Sequence, residues 1–290
     1  MAGAAHPGLV GIFGRPYLDL ETIVFERAWG NASGPASAAI FPELHEEICL
    51  ALAQMPLDYT GGSHRSMDIM PEARRSEALV DYQEVIRGMT DAEFETFRSL
   101  SDDPRAIDAS RRRELEFGEE RAISLSRRQM QWLKIRFGVF FPWKGYVELI
   151  PNRKWEDKSN AEGKSFTRAA EAFFPKTIAF VRSLPFASIG RCNIMGLEGF
   201  DYGTVHRDGD PADQSAPDQF ITVVPAANKR LYLWDDRCTR EVDVDSRVYW
   251  FNDFDYHGVR ADPFFRYSLR VDGVFLPAFY RSLEERFHAR

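Results

Sequence analysis

After Pro185 the sequence consists of short β-rich runs that turn residues separate from one another. In chain order, the runs are RCNIMGL, DYGTVH, QFITVV, RLYLW, REVDV, RVYWF, YHGVR and RYSLRVDGVF. Eight such runs within about ninety residues predict a sandwich or barrel, because strands this short bury an apolar face only against a second sheet. A jelly roll is the natural eight-stranded solution.

Before Pro185 the apolar residues recur mostly at helical spacing. The series that contains Phe41, Leu44 and Ile48 predicts one helix, with Pro42 tolerated in its first turn. The first part of the chain is therefore expected to be mainly helical.

A second helix start is indicated by Thr90 and Glu93, which have the spacing of a capping box. Helices that precede a block of strands are typical of an α+β protein. We therefore predict a mainly helical region over residues 1–185, packed around a jelly-roll core over residues 186–290.

The charge and the cysteines limit the kind of partner and compartment. A formal net charge of -7 argues against a general grip on nucleic acid or on an anionic membrane surface, since both need a concentrated positive field. No segment is apolar over the length that a membrane span requires, and we find no targeting signal. The cysteines Cys49, Cys192 and Cys238 are far apart, without the close pairing of a disulfide framework. We expect a cytoplasmic protein that acts on a small molecule or a peptide, and the oligomeric state stays open.

Three residues have the pattern of a metal site. His206 and Asp208 stand two positions apart at the end of a strand-like run, so both side chains leave the same face. His257 follows 49 positions after Asp208, since 257 minus 208 is 49, with enough strands between them to bring it alongside. Two imidazoles and one carboxylate suit non-haem iron(II) and leave positions open for a cosubstrate and dioxygen. An HxD pair alone is weak support, so the prediction needs a second feature.

The last strand-like run supplies that feature. Arg266, Ser268 and Arg270 alternate in FRYSLRVDG and are expected to face one way. A guanidinium and a hydroxyl facing inward match a carboxylate, as the distal end of 2-oxoglutarate would require. The alternative is that the two arginines pair with aspartates on an exposed edge strand.

From Arg191 to Phe275 the sequence resembles the iron(II)/2-oxoglutarate-dependent oxygenase superfamily, which has a double-stranded β-helix (jelly-roll, cupin-like) core. The string HRD, the run VYWFNDFDYHGV and the closing FRYSLRVDG are most similar to the aspartyl/asparaginyl hydroxylase and cis-proline hydroxylase branch. One departure from that branch is Thr222 in QFITVV, where an additional Arg or His is expected near the cosubstrate. The first 185 residues contain nothing that we can match.

The resemblance implies specific roles. His206, Asp208 and His257 would hold Fe(II) as the catalytic centre, and Arg266 with Ser268 would bind 2-oxoglutarate. The enzyme would use O2 to hydroxylate an unactivated C–H bond of an amino acid, a peptide or a natural-product intermediate. We assign Arg270 and Arg207 to the substrate, and the helical region to support and to one wall of its pocket. Hydroxylation, desaturation and cyclisation stay open.

Other classes of protein share parts of this pattern. HRD also begins the catalytic loop of protein kinases, but the Gly-rich loop and the V-A-I-K strand of kinases are absent from the sequence. A halogenase of the same superfamily would carry a small residue in place of Asp208. The open alternative is a non-oxidative cupin-like metal-binding protein, such as an isomerase or a sensor.

The other histidines, His6, His45, His64 and His288, lack metal-like spacing. We expect them at the surface or in helices.

Overall fold

The computed structural model describes residues 8–24, 35–55, 64, 69–74, 81–118, 121, 123–141, 145–152, 155–235 and 239–288. It combines helices with antiparallel sheets. Among these residues, every helix is too short or too polar to traverse a lipid bilayer.

Ten strands lie in the described part of the chain: β1 (Tyr17–Asp19), β2 (Gly145–Ile150), β3 (Phe186–Leu197), β4 (Gly203–His206), β5 (Phe220–Val223), β6 (Leu231–Trp234), β7 (Glu241–Asp243), β8 (Val248–Phe251), β9 (Tyr256–Val259) and β10 (Arg266–Phe275). They form a six-stranded sheet in the order β1-β8-β5-β10-β3-β2 and a four-stranded sheet in the order β4-β9-β6-β7. From β3 onward the chain passes repeatedly from one sheet to the other. Each of the eight runs predicted from the sequence overlaps one of these strands, although β3 begins five residues before its run, and β1 and β2 are added from the first 185 residues.

Strand β10 lies in the middle of the larger sheet, between β5 and β3. Its odd-numbered side chains, such as Leu269 and Val271, belong to the main hydrophobic core. From Arg266 to Asp272 its even-numbered side chains are polar and point the other way, because side chains alternate along a strand. These even-numbered residues, all buried, are Arg266, Ser268, Arg270 and Asp272. The larger sheet therefore presents an apolar face to one side and a polar interior to the other.

Seven helices have described bounds: α1 (Pro35–Gln54), α2 (Tyr82–Gly88), α3 (Asp91–Ser99), α4 (Arg127–Phe137), α5 (Arg168–Phe173), α6 (Pro175–Ser183) and α7 (Pro277–His288). The capping box of Thr90 and Glu93 is present at the start of α3, as predicted. The expectation for Pro42 was wrong: α1 begins at Pro35, so Pro42 lies inside the helix and not in its first turn. Apolar spacing marks the buried face of a helix and cannot mark its first residue.

The helices contribute to two separate hydrophobic clusters. The main cluster joins both sheets to residues of α1, α6 and α7, including Leu44, Val181 and Leu283. The second cluster is built around α2, α3 and α4, with Phe97 and Met130 fully buried. The helical elements therefore pack on the apolar side of the larger sheet or on one another.

Candidate metal centre

The structure brings His206, Asp208 and His257 together, with ligand atoms that all lie within 4.8 Å of one another. His206 ends β4 and pairs in register with His257 of β9, so two neighbouring strands carry the imidazoles. Oδ1 of Asp208 lies 3.4 Å from Nε2 of His206 and 3.7 Å from Nε2 of His257. Three atoms that can bind a metal thus converge on one point.

Each imidazole is oriented by a main-chain carbonyl. Nδ1 of His206 donates to the carbonyl of Thr204 at 2.8 Å, and Nδ1 of His257 donates to that of Asp255 at 3.2 Å. A neutral ring that donates through Nδ1 keeps the lone pair on Nε2, the nitrogen that faces Asp208. Burial and the neighbouring His206 lower the pKa of His257 to about 3, so this ring is neutral. The ring of His257 is therefore in the form that binds a metal, and His206 turns the same nitrogen, Nε2, toward Asp208.

Asp208 follows the strand and is held by its loop. The amides of Asp208 and Gly209 both donate to the carbonyl of Asp253, at 3.0 and 3.1 Å. Burial opposes ionisation of Asp208, but the Arg270 guanidinium and the imidazole of His257 hold its pKa well below the ordinary value. The side chain is thus an anionic carboxylate at the point where the imidazole nitrogens meet.

Arg270 binds the second oxygen of the Asp208 carboxylate. Its Nη1 donates to Oδ2 of Asp208 at 2.6 Å, which leaves Oδ1 toward the two imidazoles. Its Nε donates to Oδ1 of Asp272 at 3.0 Å, and Oδ2 of Asp272 accepts from Arg191 at 2.9 Å. A buried chain of alternating charge therefore ends at the carboxylate of Asp208. In this position Arg270 holds Asp208, whereas the sequence had suggested a contact with substrate.

Arg266 contacts the protein's own backbone, whereas the sequence suggested that it would bind 2-oxoglutarate. Its guanidinium is fully buried and donates to the carbonyls of Glu198 at 3.0 Å and Arg260 at 2.7 Å. It also donates to the carbonyl of Asp201 and lies 3.5 Å from the carboxylate of Asp262. These contacts tie the loop before β4 to the loop before β10. The donors of Arg266 therefore bind the protein's own backbone.

Ser268 meets a lysine that the sequence reasoning missed. Nζ of Lys229 donates to Oγ of Ser268 at 2.8 Å and to the carbonyl of Met195 at 3.2 Å. Burial lowers the pKa of Lys229 to about 7, and the nearby Arg266 and Arg270 act in the same direction. Lys229 lies in the loop before β6, where it has no periodic pattern that points inward. The buried amine beside Ser268 is thus that of Lys229.

The polar interior continues across the sheet at the level of Arg270. Asn193 of β3 and Thr222 of β5 are the register partners of Arg270, and Tyr249 of β8 is the partner of Thr222. All of these side chains are buried, and Oδ1 of Asn193 has no hydrogen-bond partner. Buried polar atoms are normally satisfied. A row of buried polar side chains next to three groups that could hold a metal therefore suits a polar ligand.

His64 also lies at this site, contrary to the expectation of a surface or helix position. Its ring is 2% exposed and stacks on His206, with 3.6 Å between ring centroids and 20° between planes. Nδ1 of His64 is 2.6 Å from Oγ1 of Thr204. Burial and the imidazole of His206 hold the pKa of His64 well below its ordinary value. Of the other histidines, His45 lies in α1 and His288 ends α7, while His6 falls outside the described residues.

Arg207 stands between the first two metal-binding residues and is partly exposed. It forms an ion pair with Asp210, and its guanidinium lies 5.6 Å from the ring centre of Tyr256. Its amide donates to the carbonyl of Ile69 at 3.1 Å.

No protein-family model matches the chain, and no curated protein matches it either. Among solved structures, the chain is similar to a Pseudomonas putida prolyl-4-hydroxylase at 13% identity and a TM-score of 0.25, covering 38% of this chain and 66% of that one. It is also similar to a 2OG-Fe(II) oxygenase family oxidoreductase from Burkholderia pseudomallei at 12% identity and a TM-score of 0.29, covering 46% and 70%. A Trichoplax adhaerens prolyl hydroxylase, in complex with a hypoxia inducible factor oxygen degradation domain peptide fragment, matches at 12% identity and a TM-score of 0.28, covering 50% and 67%. The chain thus spans about two thirds of the length of these structures, and the function proposed below is argued from the donor set and its surroundings.

Proposed function

We propose that this protein is an iron(II)- and 2-oxoglutarate-dependent oxygenase that hydroxylates a C–H bond of a small molecule or a peptide. The observation that carries the proposal is the gathering of two imidazoles and one ionised carboxylate within 4.8 Å, beside a buried polar wall. This donor set suits iron(II) and leaves half of an octahedral shell to other ligands.

The topology supports a double-stranded β-helix as the core. Strands β3, β5, β8 and β10 belong to the larger sheet, and β4, β6, β7 and β9 belong to the smaller one. A chain that alternates in this way between two antiparallel sheets winds into a jelly roll. We propose that the metal lies between the sheets, since Arg270 of the larger sheet contacts the loop that follows β4.

The roles at the metal follow from the contacts. Nε2 of His206, Nε2 of His257 and Oδ1 of Asp208 would be the ligands, while Arg270 keeps the second carboxylate oxygen away from the ion. When bound, the iron would supply an oxidation in which 2-oxoglutarate and dioxygen give succinate and carbon dioxide. One oxygen atom would enter the substrate and the other would enter succinate. The protein's part is to fix geometry and to keep water out of a buried site.

We propose that Lys229 and Ser268 bind the distal carboxylate of 2-oxoglutarate, with Ser268 as the sequence suggested and Lys229 in place of Arg266. Arg270 contacts Asp208, so its position along β10 gives the level of the metal between the sheets. Each two-residue step along a strand covers roughly 6.6 Å, so Ser268 lies one step deeper and Arg266 two. Four C–C bonds of about 1.5 Å each give a five-carbon diacid a length of at most about 6 Å. The diacid is therefore nearly as long as one step and less than half as long as two, which favours an anchor at Ser268 over one at Arg266.

Arg207 is partly exposed beside the metal, and we propose that it contacts the substrate after exchanging its pairing with Asp210. Arg270 is no longer assigned to the substrate, because both Asp208 and Asp272 already accept its hydrogen bonds.

An anaerobic titration tests the function. Adding 2-oxoglutarate to the iron(II) protein is expected to produce a visible metal-to-ligand charge-transfer band that saturates with one equivalent. A metal-binding protein of the non-oxidative cupin-like kind would bind the ion and give no band. Absence of the band in protein that has demonstrably bound iron(II) would refute the oxygenase assignment.

Changing Lys229 to methionine is expected to raise the 2-oxoglutarate concentration at half-maximal turnover. A hydrogen bond to a charged group contributes about 1.5–3 kcal/mol, which corresponds to roughly 10- to 150-fold. The measurement is succinate formation as a function of 2-oxoglutarate concentration. Lys176→Met is the matched control, because Lys176 is exposed and pairs with Glu43 on the surface. If Lys229→Met behaves like this control, while Arg266→Lys raises the requirement, then Arg266 is the anchor after all.

A further inference from the structure

We propose that His64 is a positioning residue for the metal ligand His206, whose imidazole it holds in place by stacking. The inference rests on the proposed metal centre, and it gives the helical part of the chain a direct role at the metal. His64 stands 142 positions before His206, since 206 minus 64 is 142.

The stacking is close enough to restrict the ligand ring. The ring centroids of His64 and His206 are 3.6 Å apart and their planes differ by 20°. His206 also contacts the ring of His257, with centroids 4.2 Å apart. Rotation of the His206 ring about its Cβ–Cγ bond would therefore push the ring into a neighbouring imidazole.

Thr204 fixes the orientation of both imidazole rings. The hydroxyl of Thr204 is hydrogen-bonded to Nδ1 of His64 at 2.6 Å, and its carbonyl accepts from Nδ1 of His206 at 2.8 Å. Thr204 is itself buried in β4. Because one strand residue holds both Nδ1 atoms, the two rings have a fixed relative orientation.

The stack is expected to favour the metal-bound state and not only the fold. A metal ion withdraws electrons from the imidazole that binds it, so the bound ring of His206 becomes more positive. The face of a second aromatic ring attracts positive charge, most strongly where water is excluded. His64 therefore stabilises His206 more with a metal bound than without one.

The geometry separates this role from that of a fourth ligand. Within the described part of the chain, the group whose ligand atoms converge contains His206, Asp208 and His257, and His64 is not among them. Its Nδ1 is engaged by Thr204. His64 thus acts through His206.

The test compares two variants that lose the hydrogen bond to Thr204 equally. His64→Phe keeps an aromatic face, whereas His64→Leu fills similar space without one. Cobalt(II) alone is the probe: its dissociation constant and its visible d–d spectrum are measured on the full chain, with thermal melting of each metal-free variant. His45→Leu is the matched control, because His45 also stacks on an aromatic ring and bonds through Nδ1, in both cases to Tyr267 of β10.

We expect His64→Leu to bind cobalt(II) about tenfold more weakly, with a shifted d–d spectrum, and His64→Phe to remain within about threefold of the unchanged protein. His45→Leu should match the unchanged protein. Equal affinities for His64→Leu and His64→Phe, whether both are strong or both are weak, would overturn the proposal. Since no 2-oxoglutarate is present, this result is independent of whether the protein is an oxygenase.

Discussion

Replacing Asp208 with alanine is expected to abolish succinate formation from 2-oxoglutarate. The change removes the anionic ligand and leaves two imidazoles, which cannot hold iron(II) in the geometry that the open positions require. It also leaves the buried Arg270 without one of its two carboxylate partners. We expect turnover to fall below detection, a loss of at least about a thousandfold in rate, together with much weaker iron(II) binding.

The measurement is succinate release under air with saturating iron(II) and 2-oxoglutarate. Asp213→Ala is the control, because Asp213 is an exposed carboxylate in the loop that follows Asp208. It should leave turnover unchanged. Persistent turnover in Asp208→Ala would exclude Asp208 as a ligand and with it the proposed centre.

Arg270→Met is expected to lower the stability of the metal-free protein strongly. Arg270 lies between Asp208 and Asp272, all three are nearly inaccessible to solvent, and its guanidinium packs 4.0 Å from the ring centre of Phe220. Removing it leaves two carboxylates buried without their shared cation, and breaking a buried ion pair in this way costs about 3–5 kcal/mol. For a chain of this size we expect the Tm to fall by roughly 10 °C.

Thermal melting followed by circular dichroism measures this effect. The matched control is Arg260→Met, since Arg260 also joins two carboxylates, Glu241 and Asp243 of β7, but in a partly exposed position. Surface pairs of this kind contribute about 0–1 kcal/mol. If both variants melt at the same temperature, the buried chain of charges does not stabilise the fold as we infer.

The strands and the gathering of His206, Asp208 and His257 could be predicted because their signals are local. Period-two alternation and turn residues predicted the eight runs, and each overlaps a strand of the structure. The spacing of His206 and Asp208 required only that both stand at the end of one strand. His257 then needed only an antiparallel neighbour, which β9 provides.

The surroundings of the site could not be predicted, because they depend on depth and on distant contacts. Arg266 and Arg270 have the same alternation, but only the tertiary structure shows that one contacts backbone carbonyls and the other contacts Asp208. Lys229 and His64 lie outside any periodic pattern. Their positions follow from how the loop before β6 and the N-terminal part of the chain fold back on the sheets.

Strand β10 also constrains how the protein can evolve. Between Arg266 and Asp272 its odd-numbered residues belong to the hydrophobic core and its even-numbered residues form the polar interior, so an inserted or deleted residue would exchange the two faces. Between Arg266 and Asp272 the pairing with β3 is continuous, and the first irregularity follows at Asp272 and Gly273. Length changes in this strand should therefore be tolerated only beyond Asp272, and relatives of this protein should keep the first seven positions of β10 without gaps.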